Sequence, residues 1–362
     1  MAAITHQTID TKYSADSVEW CPVPDFQDLM LCGTYQLEEG KQDENSEQNS
    51  QVRIGCLYLY QLHNQSDSPQ LQLCTSLDMP GILDIKWSYQ VLLGRPCFAV
   101  VNSVGQLKVF VVKEDSTVVM VTEEQLDTEC LGLSLEWDNM LSSRDAPRIV
   151  SSDSKGCLHV HQLCDSCLKE LVSWKAHDFE AWISAFDQWN TDIVYSGGDD
   201  CKLKVWDLRV GTHCPTLTSK RHSMGVCSVQ SSPVHEYQLA TGSYDENILL
   251  WDSRNMKQPV RELGLGGGVW RIKWEPASSE YILTATMYNG FHIVNTSGTE
   301  LSVVLNYTEH QSIAYGADWC RISNKNTSSQ SGSSPVDYVI GTCSFYDHTL
   351  KLWTYKDTNK DR

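Results

Sequence analysis

The sequence predicts an all-β fold, a seven-bladed β-propeller that forms one domain over residues 1–362. The first observation is a repeat, because the 14 residues at 196–209 are echoed at 241–254. The two tryptophans, Trp206 and Trp251, lie 45 positions apart, which is one propeller blade. The second observation is a series of short strand-like segments that close on tryptophan, at positions 20, 87, 137, 189, 274 and 319. Together these segments predict seven blades in one closed ring.

Each copy of the repeat is typical of a β-hairpin. A small residue ends one strand, a tight turn containing Asp200 or Asp245 follows, and an aliphatic alternation leads to Trp-Asp. This pattern resembles the WD40 repeat. We expect each turn aspartate to accept hydrogen bonds from turn amides and from a buried histidine or serine.

The other elements follow in order along the chain. Segment 1–13, which contains Thr8-Ile-Asp-Thr11, is predicted to form a separate strand, which we expect to pair with the last blade and close the ring. Blade one begins with an inner strand at 15–20, and blades two to seven begin near Ile82, Leu131, His177, His222, Gly268 and Tyr315. Two polar stretches without periodicity, 38–51 and 321–336, are predicted to be disordered insertions.

Three blades are predicted to contain a complete buried polar network of a histidine, a small polar residue, a turn aspartate and a tryptophan. The sets are His177, Ser196, Asp200 and Trp206 in blade four, His222, Thr241, Asp245 and Trp251 in blade five, and His310, Cys343, Asp347 and Trp353 in blade seven. In blades two, three and six the turn aspartate is replaced by Val104, Lys155 and Asn289. We expect those three blades to be held by packing alone.

Composition limits the function. The net charge of −18 disfavours binding to a nucleic-acid backbone. It favours cationic ligands or a basic protein partner, although acidity also confers solubility alone. There is no apolar run long enough to cross a membrane and no visible signal peptide, so no membrane association is expected. Many of the fourteen cysteines fall at strand positions, which indicates a reducing compartment, the cytoplasm or also the nucleus.

Several common catalytic motifs are missing or isolated. The sequence has no Gly-x-Ser-x-Gly elbow and no phosphate-binding glycine loop before a helix. Cys164 and Cys167 form a C-x-x-C without a second pair, which favours two reduced thiols in a loop. His159 and His161 share a strand face, but His161 falls where other blades have tryptophan, so packing is the better interpretation. We therefore expect neither a metal nor a cofactor.

Aromatic and charged residues concentrate where loops enter inner strands and at the tight turns. The first group contains Glu180, Trp182, Trp270, Arg271 and Tyr315, and the second contains Tyr244, Phe345, Tyr346 and His348. Aromatic walls beside a carboxylate suit a quaternary ammonium group through cation–π attraction and charge. The alternative is that some of these rings, Trp182 and Trp270 among them, cap blade cores.

Longer motifs point to one family. They include Ala15-Asp-Ser-Val-Glu-Trp-Cys-Pro22, Ala176-His-Asp-Phe-Glu-Ala-Trp-Ile183, Gly267-Gly-Val-Trp-Arg-Ile-Lys-Trp274, Tyr315-Gly-Ala-Asp-Trp319 and Cys343-Ser-Phe-Tyr-Asp-His348. The chain resembles the eukaryotic WD-repeat diphthine methyl-ester hydrolases of the diphthamide pathway. The resemblance implies hydrolysis of a methyl ester on a modified histidine of translation elongation factor 2, giving diphthine. The implied substrate side chain also carries a trimethylammonium group beside the ester.

No motif of that family assigns the catalytic residue, so position alone supplies the candidates. Direct attack by water needs a base and a donor to the oxyanion. Glu180 and His348 are candidate bases, and Arg271 or the backbone amides at strand starts could donate to the oxyanion. The candidate substrate-binding residues are Trp182, Tyr244, Trp270, Tyr315 and Tyr346.

Two non-catalytic functions remain open. Trp206-Asp-Leu-Arg209 and Trp251-Asp-Ser-Arg254 match the Trp-Asp-x-Arg box of WD40 substrate receptors of cullin ubiquitin ligases, which dock such arginines on an adaptor. The box is short, and arginine after Trp-Asp is frequent in WD40 chains. The other possibility is a scaffold that only organises the enzymes of the pathway.

Overall fold

A computed structural model describes residues 3–38, 52–65, 68–142, 145–322 and 336–357. These residues form 29 strands in seven antiparallel sheets, and no helix occurs among them. No described segment is therefore a helix long and apolar enough to cross a bilayer. The predicted all-β propeller with seven blades is confirmed.

The first strand and three blades occupy the N-terminal half. The first strand is β1 (Ala3–Asp10). Blade one contains β2 (Ala15–Trp20), β3 (Leu29–Thr34), β4 (Gln36–Glu38), β5 (Val52–Gln65) and β6 (Ser68–Pro80). Blade two contains β7 (Ile82–Trp87), β8 (Cys97–Asn102), β9 (Gln106–Val112) and β10 (Val118–Gln125). Blade three contains β11 (Gly132–Trp137), β12 (Arg148–Asp153), β13 (Cys157–Cys164) and β14 (Cys167–Lys175).

The remaining four blades follow in chain order. Blade four contains β15 (Ile183–Phe186), β16 (Ile193–Gly197), β17 (Leu203–Asp207) and β18 (Leu217–Ser219). Blade five contains β19 (Val226–Ser231), β20 (Gln238–Ser243), β21 (Asn247–Asp252) and β22 (Arg261–Gly264). Blade six contains β23 (Arg271–Trp274), β24 (Tyr281–Ala285), β25 (Phe291–Asn295) and β26 (Ser302–Tyr307). Blade seven contains β27 (Ala314–Trp319), β28 (Val336–Ser344) and β29 (Thr349–Asp357).

The N-terminal strand closes the ring, as predicted. Strand β1 pairs antiparallel with β29, so blade seven has the order β1-β29-β28-β27. The inner strands contact one another in cyclic order, and β27 contacts β2. Because β1 covers the outer edge of blade seven, that edge is not left open for pairing with another chain.

Tryptophans at the ends of inner strands join neighbouring blades. The indole N–H of Trp87, Trp137, Trp274 and Trp319 each donates to a backbone carbonyl of an adjacent blade's inner strand, at 2.9–3.0 Å. The prediction that Trp189 ends the inner strand of blade four is wrong. Strand β15 stops at Phe186, and Trp189 is 40% exposed and donates to the Ser232 carbonyl at 2.9 Å.

The polar networks of blades four and five are confirmed. In blade five, His222 Nδ1 lies 2.9 Å from Asp245 and His222 Nε2 lies 2.8 Å from Thr241 Oγ1, which also accepts from Trp251 at 2.9 Å. Blade four repeats this geometry around Ser196. Each network connects the loop before the inner strand with the second and third strands, and so ties the turn to the blade.

Blade seven departs from the prediction. The small polar residue is Thr342 and not Cys343, because Thr342 Oγ1 lies 2.9 Å from His310 Nε2 and accepts from Trp353 at 3.0 Å. His310 Nδ1 meets Ser344 Oγ, which donates to Asp347. Cys343 points to the opposite face, because side chains alternate along β28. Ser344 therefore connects the histidine to the aspartate.

Packing alone does not hold blades two, three and six, so that expectation is also wrong. Asn102 accepts from two turn amides in blade two. In blade three, Asp153 accepts from the Lys155 and Cys157 amides and lies 3.0 Å from His159 Nε2. In blade six, Thr286 contacts His292 at 3.0 Å. The polar group ends the second strand in blades two and three and directly follows it in blade six, in each case upstream of the expected turn position.

Three other expectations concern single segments. Of the predicted insertions, 39–51 and 323–335 lie outside the described residues, whereas Glu38 ends β4. His161 pairs with Ile149 in the register where Trp206 pairs with Val194, which confirms its tryptophan-like position. All fourteen cysteines lie in described segments and none forms a disulfide.

Candidate functional site

Bulges mark where several inner strands begin, on the face that carries the turns between second and third strands. The residue that the bulge inserts is Asp16 in β2, Leu83 in β7, Leu133 in β11 and Cys227 in β19. In blade seven the irregularity spans Tyr315 and Gly316. A bulge changes the direction of a side chain and is common beside functional sites. Asp16 is the single ionisable carboxyl in this set.

Aromatic rings from five blades join above these bulges. We name Trp182, Tyr244, Trp270, Tyr315, Phe345 and Tyr35 the aromatic arc, because their rings contact one another in series with centroids 4.8–6.2 Å apart. Loops before the inner strands of blades four and six supply the two tryptophans, and the turn of blade five supplies Tyr244. The structure thus brings four of the five predicted substrate-binding residues together.

Close backbone approach positions Tyr244 within the arc. A Cβ atom on Gly225 would lie 3.1 Å from the Tyr244 ring and 2.8 Å from Asp199 Oδ1. A Cβ atom on Gly268 would lie 3.3 Å from the same ring. Both ring contacts are tighter than most Cβ atoms make, so glycine at these positions lets the ring pack between two loops without a shift.

An exposed carboxylate orients one end of the arc. The indole N–H of Trp182 donates to Asp199 Oδ1 at 3.1 Å. The Asp199 amide in turn donates to the Glu180 carbonyl at 2.9 Å. Asp199 therefore lies beside both Trp182 and Tyr244, where its charge adds to the attraction of the rings for a cation.

The seven inner strands surround a central channel. Asp16 lies at the mouth of this channel, in an environment different from that of the exposed Asp199. Asp16 is 3% exposed, and its Oδ1 has no hydrogen-bond partner among the described residues. Burial raises the pKa of Asp16 to about 8, although the positive charge of Arg271 opposes the rise. A carboxyl in this state is largely neutral at pH 7, and a nearby cation would favour its ionised form.

Arg271 lies in the central channel, directly after Trp270 of the arc. It is 9% exposed, and Nη1 lies 3.3 Å from Asp84 Oδ1. Deeper in the channel, Lys86 and Lys273 share Glu19 at 2.8 and 2.6 Å. The Arg271 guanidinium is therefore held by an ion pair at the arc end of a charged network. The preceding residue, Trp270, belongs to the arc.

Tyr346 is the fifth predicted binding residue, and it lies at the edge of the arc. Its ring contacts Phe345 edge-on at 5.0 Å, but the residue is 70% exposed. Beside it a cleft of about 520 Å³ separates the turn of blade six from the loop before blade seven. The cleft is lined by Tyr288, Asn289, Gly290, Thr308, His310, Gln311, Ser312, Ile313 and Tyr346.

The two candidate bases are not drawn into the arc. Glu180 is half-buried, and its backbone carbonyl makes the contact to Asp199. His348 has a left-handed backbone with φ of 53°, and its carbonyl accepts from Thr11. Within the described ranges, neither side chain makes a hydrogen bond to an arc residue. Their catalytic roles stay predictions.

Sequence reasoning missed Asp16 and Asp199 as site residues. Asp199 belongs to the repeated hairpin, where the adjacent Asp200 is the predicted structural aspartate. The available signal for Asp16 was a carboxylate within a predicted inner strand, which the structure shows to be buried along all six residues, Glu19 included. As to metals, the described ranges contain no group of three His, Cys, Asp or Glu side chains that could hold an ion.

Comparison with family models and solved structures agrees with the fold. The model of the WD domain, G-beta repeat, matches residues 167–207 and 213–252. A solved structure titled "Crystal Structure of Mitotic Checkpoint Complex" contains a chain that superimposes with a TM-score of 0.70. The two chains are 17% identical, over 98% of this chain and 95% of the other. At this identity the likeness concerns the fold alone.

Similar curated proteins carry one recurrent name. A diphthine methyltransferase of Mus musculus is 44% identical over 86% of this chain and 69% of its own length. A diphthine methyltransferase homolog of Dictyostelium discoideum is 34% identical over 98% of this chain and 100% of its own length. A partial match, 29% identical over 37% of this chain and 25% of the relative, is a DDB1- and CUL4-associated factor 11 homolog of Caenorhabditis briggsae.

Proposed function

Because this chain belongs to the diphthine methyltransferase family, we propose that it removes the methyl group of diphthine methyl ester by hydrolysis, giving diphthine and methanol. The observation that carries the proposal is the aromatic arc above a buried carboxyl and a buried guanidinium. The proposed protein substrate is translation elongation factor 2.

The arc suits the trimethylammonium group of that substrate. Aromatic faces attract a quaternary ammonium ion, and the attraction strengthens where water is excluded. The contacts between Trp270 and its neighbours Trp182 and Tyr315, at 5.6 and 4.9 Å, form a continuous aromatic surface. Asp199 adds a fixed negative charge at the rim, because it is held by Trp182.

Arg271 supplies a donor for the ester carbonyl. In the substrate the ester is attached to the carbon that bears the trimethylammonium group, so a cation held in the arc places the ester nearby. The Arg271 guanidinium is fixed by Asp84 at 3.3 Å and is the strand residue directly after Trp270. A fixed cationic donor stabilises the negative charge that develops on the carbonyl oxygen.

The cleft beside Tyr346 gives the polypeptide around the modified histidine a place to lie. It adjoins the arc through the contact of Tyr346 with Phe345 and carries two exposed tyrosines, since Tyr288 is 83% exposed. Exposed tyrosines and amide side chains are typical of surfaces that bind extended polypeptide. The net charge of −18 additionally favours approach of a basic protein surface.

Mass spectrometry of the modified peptide tests the reaction. Purified protein is incubated with elongation factor that carries diphthine methyl ester, and the peptide and released methanol are measured. Loss of the mass of one methylene with equal methanol release supports hydrolysis. If the methyl group is transferred to an acceptor and no methanol is released, the reaction is a methyl transfer and not a hydrolysis. An unchanged peptide at high protein concentration would refute the proposal.

The second candidate function is that of a cullin-ligase receptor. It is favoured by two arginines on the face opposite the arc, which we call the bottom face. Arg209 and Arg254 follow third strands, so they lie opposite the arc, and each pairs with the aspartate of its own Trp-Asp at 2.6–2.7 Å. Both side chains are largely exposed. Adaptor capture by purified wild-type protein, lost on Arg209→Glu with Arg254→Glu, would support this function.

A further inference from the structure

We infer that Asp16 is the general base of the hydrolysis proposed above, and the inference rests on that proposed function. A general base must reach a water molecule next to the ester and must not be consumed by a structural ion pair. Asp16 meets both requirements at the mouth of the channel. Among the described residues, no hydrogen bond or ion pair joins the side chain of Glu180 or His348 to the arc, to Arg271 or to Asp16.

The geometry of β2 directs Asp16 into the site. Ala15 pairs with Thr34 and Ser17 pairs with Gly33, so Asp16 is the extra residue of a bulge. Gly316 of blade seven packs against the backbone of β2, since a Cβ there would lie 3.0 Å from the Asp16 carbonyl. The bulge and this close contact hold the carboxyl under the arc.

Charged and titratable groups surround Asp16 from five blades. They are Tyr35 from its own blade, Asp84 and Lys86 from blade two, Tyr244 from blade five, Arg271 from blade six, and Tyr315 and Cys343 from blade seven. Three of these are arc residues, and Arg271 is the proposed oxyanion donor. Asp16 therefore lies between the cation-binding rings and the group that would hold the carbonyl oxygen.

The other buried carboxylates of the channel are paired. Glu19 is shared by Lys86 and Lys273, and Asp84 contacts Lys86 at 2.7 Å. Glu136 accepts from the Phe186 amide at 2.9 Å. Oδ1 of Asp16 alone among these carboxyl groups is buried without a hydrogen bond in the described part of the chain. Burying such an atom costs stability, so a free oxygen here is consistent with a role in chemistry.

The substrate cation itself would activate this base. Without ligand, burial raises the pKa of Asp16 to about 8, so the carboxyl is mostly neutral near pH 7. A quaternary ammonium ion in the arc stabilises the carboxylate and releases the proton to solvent. Asp16 is therefore mostly ionised when a cationic substrate is bound and mostly neutral without it, which favours the active base in the complex that needs it.

The hydrolytic step balances with no further reactant. The Asp16 carboxylate takes a proton from water while the water oxygen bonds to the ester carbonyl carbon, and Arg271 donates to the resulting oxyanion. The bond from carbon to methoxy oxygen then breaks, and the protonated Asp16 returns its proton to the methoxy oxygen, forming methanol. The product carboxylic acid loses its own proton to solvent.

Tetramethylammonium chloride tests the coupling without any ester. Calorimetry at pH 7 in two buffers of different ionisation enthalpy gives the number of protons released on binding. We expect wild type to release roughly half a proton or more, and Asp16→Asn to release none while still binding. Glu136→Gln is the matched control in a buried carboxyl away from the arc, and it should release protons as wild type does. Binding to wild type without proton release would contradict the inference.

Kinetics on the esterified elongation factor tests the base. Asp16→Asn should lower kcat about 100-fold or more, the usual effect of a general base. In wild type, kcat/KM should fall below about pH 8, and the corresponding fall in kcat should occur at lower pH. A folded Asp16→Asn protein with wild-type kcat and pH profile overturns the inference but leaves the hydrolase standing. Wild type that releases no methanol refutes the hydrolase itself.

Discussion

The indole N–H of Trp182 donates to Asp199 Oδ1 at 3.1 Å, and this bond joins a loop of blade four to a turn of the same blade. The bond sets the angle of an aromatic ring whose other contacts, to Tyr244 and Trp270, cross into blades five and six. A polar contact at the exposed end of the arc thus complements the ring contacts that join its members.

Asp199→Ala should raise KM for the esterified substrate about 5-fold with a smaller change in kcat, since the lost bond and charge are worth about 1 kcal/mol. Asp199→Asn keeps an oxygen acceptor for Trp182 and is the control. If the defect is orientation, Asn restores most of the affinity. If it is charge, Asn behaves like Ala. Steady-state kinetics separates the orientation effect from the charge effect. If both variants keep the wild-type KM, Asp199 does not contribute to substrate binding.

The network around Thr241 should determine the stability of blade five. Thr241→Val removes the oxygen that meets His222 at 2.8 Å and Trp251 at 2.9 Å. Two buried polar atoms lose their partner, so we expect the free energy of unfolding to fall by about 2–3 kcal/mol. Thr218→Val makes the same change at an exposed strand position and should stay within about 0.5 kcal/mol. Denaturant titration with equal effects for both would contradict the network.

His161 should make stability depend on pH. Burial lowers its pKa to about 4, and neither ring nitrogen has a hydrogen-bond partner in the described part of the chain, although Nε2 lies 4.0 Å from Glu170 Oε2. Between pH 6.5 and 4 the unfolded chain binds a proton that the folded chain does not, so stability falls as pH falls, by at most ~1.4 kcal/mol per pH unit.

His161→Leu should remove that contribution and leave stability at pH 7 unchanged or higher. Unfolding measured at pH 7 and pH 5 checks this prediction. Wild type and variant losing the same free energy between the two values would show that His161 does not contribute. His213→Leu is a suitable control, because that position is not buried.

The cleft beside the arc should affect the protein substrate more than a small one. Tyr346→Ala and Tyr288→Ala each remove an exposed ring from its wall, and we expect KM for the elongation factor to rise about 5-fold for each. Affinity for tetramethylammonium should stay at the wild-type value, since neither ring belongs to the arc. If the variants lose affinity for the elongation factor and for tetramethylammonium equally, the cleft and the arc form one binding site.

The two bottom-face arginines should not affect hydrolysis. Arg254 packs over Tyr237 at 4.3 Å and pairs with Asp252, on the face opposite the arc. Arg209→Glu combined with Arg254→Glu should keep kcat and KM within about 2-fold of wild type, because exposed ion pairs contribute little to stability. A large loss of activity with normal folding would link that face to the catalytic reaction.

The blade period, the closing strand and five of the six arc residues could be predicted from the chain alone, whereas Tyr35 was not among the predicted residues. These features depend on local signals, since Trp206 and Trp251 recur at one blade length and aromatic residues cluster beside turns. The register of the strands was harder to predict. The sequence predicts Cys343 in the network of blade seven, but Thr342 makes the contacts, because a shift of one residue moves a side chain to the other face of a strand.

Tertiary structure alone decided which charged groups belong to the channel mouth. Asp16 and Arg271 are 255 positions apart, and only ring closure brings blades one and six to a common axis. The burial that raises the pKa of Asp16 comes from neighbours in several blades, so no local pattern could predict it. Local sequence determines strands and turns, whereas desolvation and charge at a shared channel depend on the whole ring.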